Sequence, residues 1–126
     1  MLKALYIIVD DEADDPVYGE PPPGDLDESI YARMVELVQD LMDGDADARG
    51  TLKTPDGLLG WRSLVKTGLT FVAVVEEGVR AQQLEVFLQK VAKKYVDEVD
   101  DWRSPDRGGV AEVVIDVIPP WEEDVD

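Results

Sequence analysis

Any chemistry in this chain would have to be done by carboxylates. The 126 residues include 29 Asp and Glu against 12 Lys and Arg, with neither histidine nor cysteine. That absence rules out disulfides, thiolate nucleophiles, Ser-His-Asp arrangements and zinc sites of ordinary composition. Hard-cation binding and carboxylate acid–base work remain. Asp43, Asp45 and Asp47 share the odd-position spacing of a calcium loop. Continuing the count puts Ala48 where such a loop needs Gly and Thr54 where it needs a bidentate Glu. A polar loop after a helix accounts better for the stretch. Asp10, Asp11, Glu12, Asp14 and Asp15 could gather magnesium at a strand end, yet such a density of acids reads first as a repelling, solvated loop.

An acid–base pair needs one carboxyl buried deeply enough to raise its pKa. Glu112 and Asp116 lie in an otherwise apolar run, but they share one strand parity, so an outward polar face explains both. Gly108-Gly109 lacks the Lys and Ser/Thr of a phosphate-binding loop. We therefore expect no catalytic residue, no cofactor and no metal ligand.

The formal charge of −17 argues against a nucleic-acid partner and against docking on an anionic membrane. A basic protein partner or solubility in a salty cytoplasm suits it better. No apolar run reaches the ~20 residues of a membrane span, and no signal-peptide pattern opens the chain. Zero cysteine fits a cytosolic protein. These features predict a cytoplasmic chain without direct membrane insertion.

The elements that must carry any site centre on residues 58–99. Residues 58–65 and 69–75 are rich in β-branched and aromatic types and flank Lys66-Thr67-Gly68, a β-hairpin pattern. After Glu76-Glu77-Gly78 the apolar period lengthens. Leu84, Phe87, Leu88, Val91 and Tyr95 then form the stripe of an amphipathic helix. Residues 2–9 are apolar almost throughout, which predicts a strand buried on both sides and helices on both faces of the sheet. Residues 15–19 could be a short second strand, with Pro16 confining it to an edge or a strand start. After the stiff Pro21-Pro22-Pro23-Gly24, Asp25 and Glu28 suggest a capping box. The helix behind it carries Ile30, Met34, Leu37, Val38 and Leu41 on one stripe and closes near Gly44. Residues 50–54 suggest a brief strand. Residues 100–109 read as a charged connection, 110–118 as a final strand with Val113, Ile115 and Val117 on one face, and 119–126 as an acidic tail. One domain spanning 1–118 is expected, and no internal repeat is visible.

Candidate partner-binding positions follow from apolar surface that a single sheet contact would not use. Tyr31 and Val35 flank the first helical stripe and, with Met34 and Val38, make a face broad enough for core packing or for a partner groove. Tyr18 adds an aromatic on the short second strand. Trp102 and Trp121 stand in charged or proline-rich surroundings, where they could anchor a partner or fold back on their own domain. Trp61, in mid-strand, reads as sheet packing.

Taken together, Ala4 to Val9, the turn to Asp15-Pro16-Val17-Tyr18, the strands at 50–54, 61–65 and 69–75, and Glu76-Glu77-Gly78-Val79 leading to Phe87-Leu88 resemble longin-type domains. The likeness covers residues 2–99 and is strongest for the sedlin-like subunits of trafficking tethers. It implies an α+β fold, mainly an antiparallel five-stranded sheet with helices on both faces (longin/profilin-like). It also implies a non-enzymatic adaptor that dimerises or docks a small Ras-like GTPase, another longin or roadblock domain, or a trafficking-type complex. The strand expected at 110–118 departs from that pattern. With the weak strands ignored, the order becomes a ferredoxin-like βαββαβ, and the second functional reading is a small-ligand or metal-sensing domain.

Overall fold

Two strands without a wettable side set the architecture. They are β1 (Leu2–Val9), buried from Ala4 onward, and β5 (Leu69–Val75), buried at every position. The structure, a computed structural model, describes residues 2–9, 16–20, 25, 27–42, 48–54, 57–64, 68–99 and 107–117. In chain order the other elements are β2 (Tyr18–Glu20), α1 (Glu28–Met42), β3 (Ala48–Thr54), β4 (Gly57–Leu64), α2 (Ala81–Glu98) and α3 (Arg107–Ile115). The five strands form one antiparallel sheet in the order β2-β1-β5-β4-β3.

Side-chain alternation divides the core in two. Leu5, Ile7 and Val9 of β1 join Phe71, Ala73 and Val75 of β5 beneath α2 and α3. Ala4, Tyr6 and Ile8 join Val72, Val74 and Leu59 beneath α1. The expectation that residues 2–9 lie between helical layers is met, because a strand apolar on both faces is stable only where both are covered. The hairpin is also where the sequence placed it: β4 and β5 pair from Leu58↔Val75 to Leu64↔Leu69.

Helix α2 uses the stripe read from its period, with Leu84, Phe87, Leu88, Val91 and Tyr95 all buried and Ala92 added. Its approach to the sheet is close at Gly60. A Cβ there would sit 2.6 Å from Leu84 Cδ2 and 2.8 Å from its Cγ. Farther along, Tyr95 meets Phe71 edge-to-face at 5.7 Å and 76°, a favoured aromatic geometry. Thr70 is the exception inside β5, since its hydroxyl is buried without a hydrogen-bond partner among the described residues.

The segment expected as a final strand is a helix as far as Ile115. Its β-branched residues favour strand locally, but Val110, Val113, Val114 and Val117 also recur at helical spacing, and all four are buried against the α2 side of the sheet. Burial of that stripe decides the conformation. Glu112 and Asp116, four apart, then share an exposed helical face in place of a strand face. Gly108 and Gly109 belong to α3 instead of to the connection before it. The element order is therefore ββαβββαα, which differs from the βαββαβ alternative. Among smaller differences, β2 begins at Tyr18, later than expected, and β3 begins at Ala48, earlier than expected.

Substituting Gly60→Ala drives a methyl into Leu84, and overpacking of this kind costs about 1–3 kcal/mol. Denaturant unfolding of the variant should show that loss, whereas unchanged stability would place α2 farther from β4. Burial first, with Glu20 and Asp25 adding, pushes the Tyr6 hydroxyl up to about 12 from 10.0. A raised folded-state value means that the stability it confers is intact below pH 10 and lost as pH climbs through 12. An ultraviolet phenolate titration should show a late phase near pH 12 accompanying loss of tertiary circular dichroism. Tyr6→Phe should abolish that phase, and an unaltered titration would contradict the burial of this hydroxyl.

Candidate interaction surface

Among the described residues the carboxylates do not converge. Every described Asp and Glu is exposed except half-buried Glu85, so none is the buried acid that an acid–base pair requires. Among the described residues no three acidic groups lie where they could hold a metal ion. The two acidic loops, residues 10–15 and 43–47, are outside the described residues, as are Gly44, Trp102, Trp121 and the segment 119–126. Among the described residues, no helix is long and apolar enough to cross a membrane.

Helix α1 is started by Asp27, where the sequence pointed to Asp25. The Asp27 carboxylate accepts hydrogen bonds from the Ser29 hydroxyl and from the Ser29 N–H at 2.9 Å, and its carbonyl accepts the Tyr31 N–H at 2.9 Å. The two Ser29 bonds, the hydroxyl's first, hold its carboxyl below the usual range. Asp27 is thus occupied as a helix cap. Counting from this start, the helix turns Ile30, Met34 and Val38 straight into the sheet.

That geometry separates the candidate partner residues. Met34 and Val38 are fully buried in the α1-side core, so they are not available to a partner while α1 is docked. Of the two uses that the sequence left open for them, core packing is the one the structure shows. Tyr31 and Val35 on one side of that buried stripe, and Leu37 on the other, pack against the same core but remain half-buried. Tyr18, on the edge strand β2, is half-buried against the opposite core, where burial and then Glu20 raise its pKa. Trp61 packs on the α1 side as expected. Its ring covers Gly50, where an added Cβ would come within 2.5 Å of the indole.

Two features were missed in the sequence. The first is the edge formed by β3. It ends the sheet opposite β2, and no described strand lies on its outer side. Its register sets Arg49 directly across from Arg62, and Lys53 across from Leu58. The signal was available in the alternation Arg49-Thr51-Lys53, but the short strand was read only from residue 50. The second is a groove of about 360 Å³ between α1 and this edge, lined by Ile30, Ala32, Arg33, Glu36, Leu52 and Lys53 among others.

Other clefts hold exposed charges. One of about 620 Å³ lies where the β3–β4 hairpin meets the start of α2, with Lys53, Glu77 and Arg80 on its walls. Another of about 460 Å³ runs between α2 and residue 116, where Lys94 lies 3.5 Å from Glu98 and 3.6 Å from Asp116. The second contact ties the end of α3 to α2, although a partly exposed pair of this kind contributes only about 0.2–1 kcal/mol. What the described geometry can do is present surface: one uncovered sheet edge, with a groove and a half-apolar helix flank beside it. Comparison with protein-family models, with curated proteins and with solved structures finds no match to any of them.

Proposed function

We propose that the chain is a non-enzymatic protein–protein interaction module, a longin-like adaptor that docks a small Ras-like GTPase, another longin or roadblock domain, or a second copy of itself. The observation that carries this reading is a sheet with helices on both faces and one seven-residue edge strand with no described strand on its outer side. Unpaired backbone donors and acceptors along such an edge favour strand addition unless something blocks it. The half-buried Tyr31 and Val35, neighbours one turn apart, offer a second route through one flank of α1.

Support also comes from the layering. The longin-type resemblance implied five antiparallel strands with one helix on one face and the C-terminal helical part on the other. The strand order, α1 as the one described helix on its face, and α2 with α3 opposite are compatible with that arrangement. The helical α3 also removes the departure that a strand at 110–118 would have made.

The test combines light scattering on the purified chain with affinity capture from a lysate of its source. We expect either a dimer or a retained protein partner, and we expect Val35→Arg to weaken the complex formed through α1. Because Val35 is only half-buried, that substitution should leave the melting temperature within a few degrees of the parent. A strict monomer that retains no protein partner would contradict the reading.

A further inference from the structure

We infer that the β3 edge is a docking site for an extended acidic segment of another protein, with acidic and apolar residues alternating along it. This deepens the adaptor reading and rests on it.

The argument begins with register. Lys53 lies opposite Leu58, which packs in the α2-side core, and Thr51 lies opposite Gly60, which contacts Leu84 and Leu88 of α2. Arg49, Thr51 and Lys53 therefore share the α2-side face. Gly50 and Leu52, opposite Trp61 and Leu59, share the α1-side face. Arg49 and Arg62 meet directly across the β3–β4 ladder on the first of these faces. Like charges in that relation repel. Neither arginine forms an ion pair among the described residues, although the chain carries 29 acidic groups. Three cations thus line one face of an open edge in a chain of net charge −17.

A strand added to β3 would have its residues alternate between the same two faces. On one face they would meet Arg49, Lys53 and the half-buried Arg62, where carboxylates neutralise the repulsion. On the other they would meet Leu52 and the groove in which Ile30 and Ala32 of α1 stand beside Arg33 and Glu36. The charges also select against a second copy at this edge. Two β3 strands paired antiparallel about Thr51 would place each Arg49 against the other's Lys53, cation against cation. A partner with acidic residues at alternate positions satisfies both faces and the backbone edge at once.

The probe is a labelled peptide, Val-Glu-Val-Glu-Val-Glu-Val, matching the seven residues of β3, titrated by fluorescence anisotropy against the intact chain. We expect saturable binding that R49E/K53E weakens about tenfold or more, because close charge pairs at an interface carry that much coupling. K90E/K93E makes the same change in net charge on α2, away from the edge, and should leave the affinity unchanged. Methylating the peptide nitrogens at alternate residues should abolish binding in at least one of the two possible phases, since strand addition requires those donors. Absence of saturable binding, equal weakening by both double variants, or full affinity in both methylated peptides would each overturn the inference. Circular dichroism of the exposed-site variants checks that the fold is retained. Loss of the peptide result while light scattering or capture still reports a Val35-dependent complex would reject the acidic-strand site and leave the adaptor reading standing.

Discussion

The structure depends on a single constraint: β1 and β5 cannot face water on either side. Ala4 to Val9 and Leu69 to Val75 are buried without interruption, and covering both faces requires helices from both ends of the chain. Helix α1 lies between β2 and β3 in sequence and covers one face, while α2 and α3 follow β5 and cover the other. The hydrophobic effect scales with the apolar area removed from water, so the central strands hold the helices as firmly as the helices shield the strands. Gly60 shows how close the contact is, because α2 occupies the volume that a side chain would need there.

Covering the faces leaves the edges. On one side β2 is only three residues long, and a short edge offers little to pair with. On the other side β3 is long, and its cations guard it against a copy of itself. Edge strands are often protected by charge. Here the charge is opposite in sign to that of the whole chain, which is why we propose an acidic partner for this edge. The α1 flank follows from the same layering. Once Met34 and Val38 are committed to the sheet, Tyr31, Val35 and Leu37 are left at the margin of the contact.

What could be read from the sequence follows the strength of its local signals. The hairpin at residues 58–75 and the stripe of α2 were legible because each repeats a single period over many residues. Residues 110–118 were misread because four valines and two isoleucines favour strand locally, while the helical spacing of Val110, Val113, Val114 and Val117 matters only once α2 supplies a surface to pack on. The α1 cap was displaced by two residues because Asp25 and Asp27 both precede acidic or hydroxyl partners, and only backbone geometry chooses between them. The candidate interaction surface was half visible. The apolar breadth of α1 could be seen, but which of its residues the sheet takes depends on helical phase. The opposition of Arg49 and Arg62 depends on strand register, which no local pattern encodes.

Native-state amide hydrogen exchange, resolved residue by residue, tests the doubly covered sheet most directly. The account predicts that the amides of β1 from Ala4 and of β5 exchange only through global unfolding, and that those of β3 exchange faster through local opening. Rapid exchange throughout residues 4–9, at rates like those of β3, would mean that one face of the central strands is open to water, and the layered arrangement described here would be wrong.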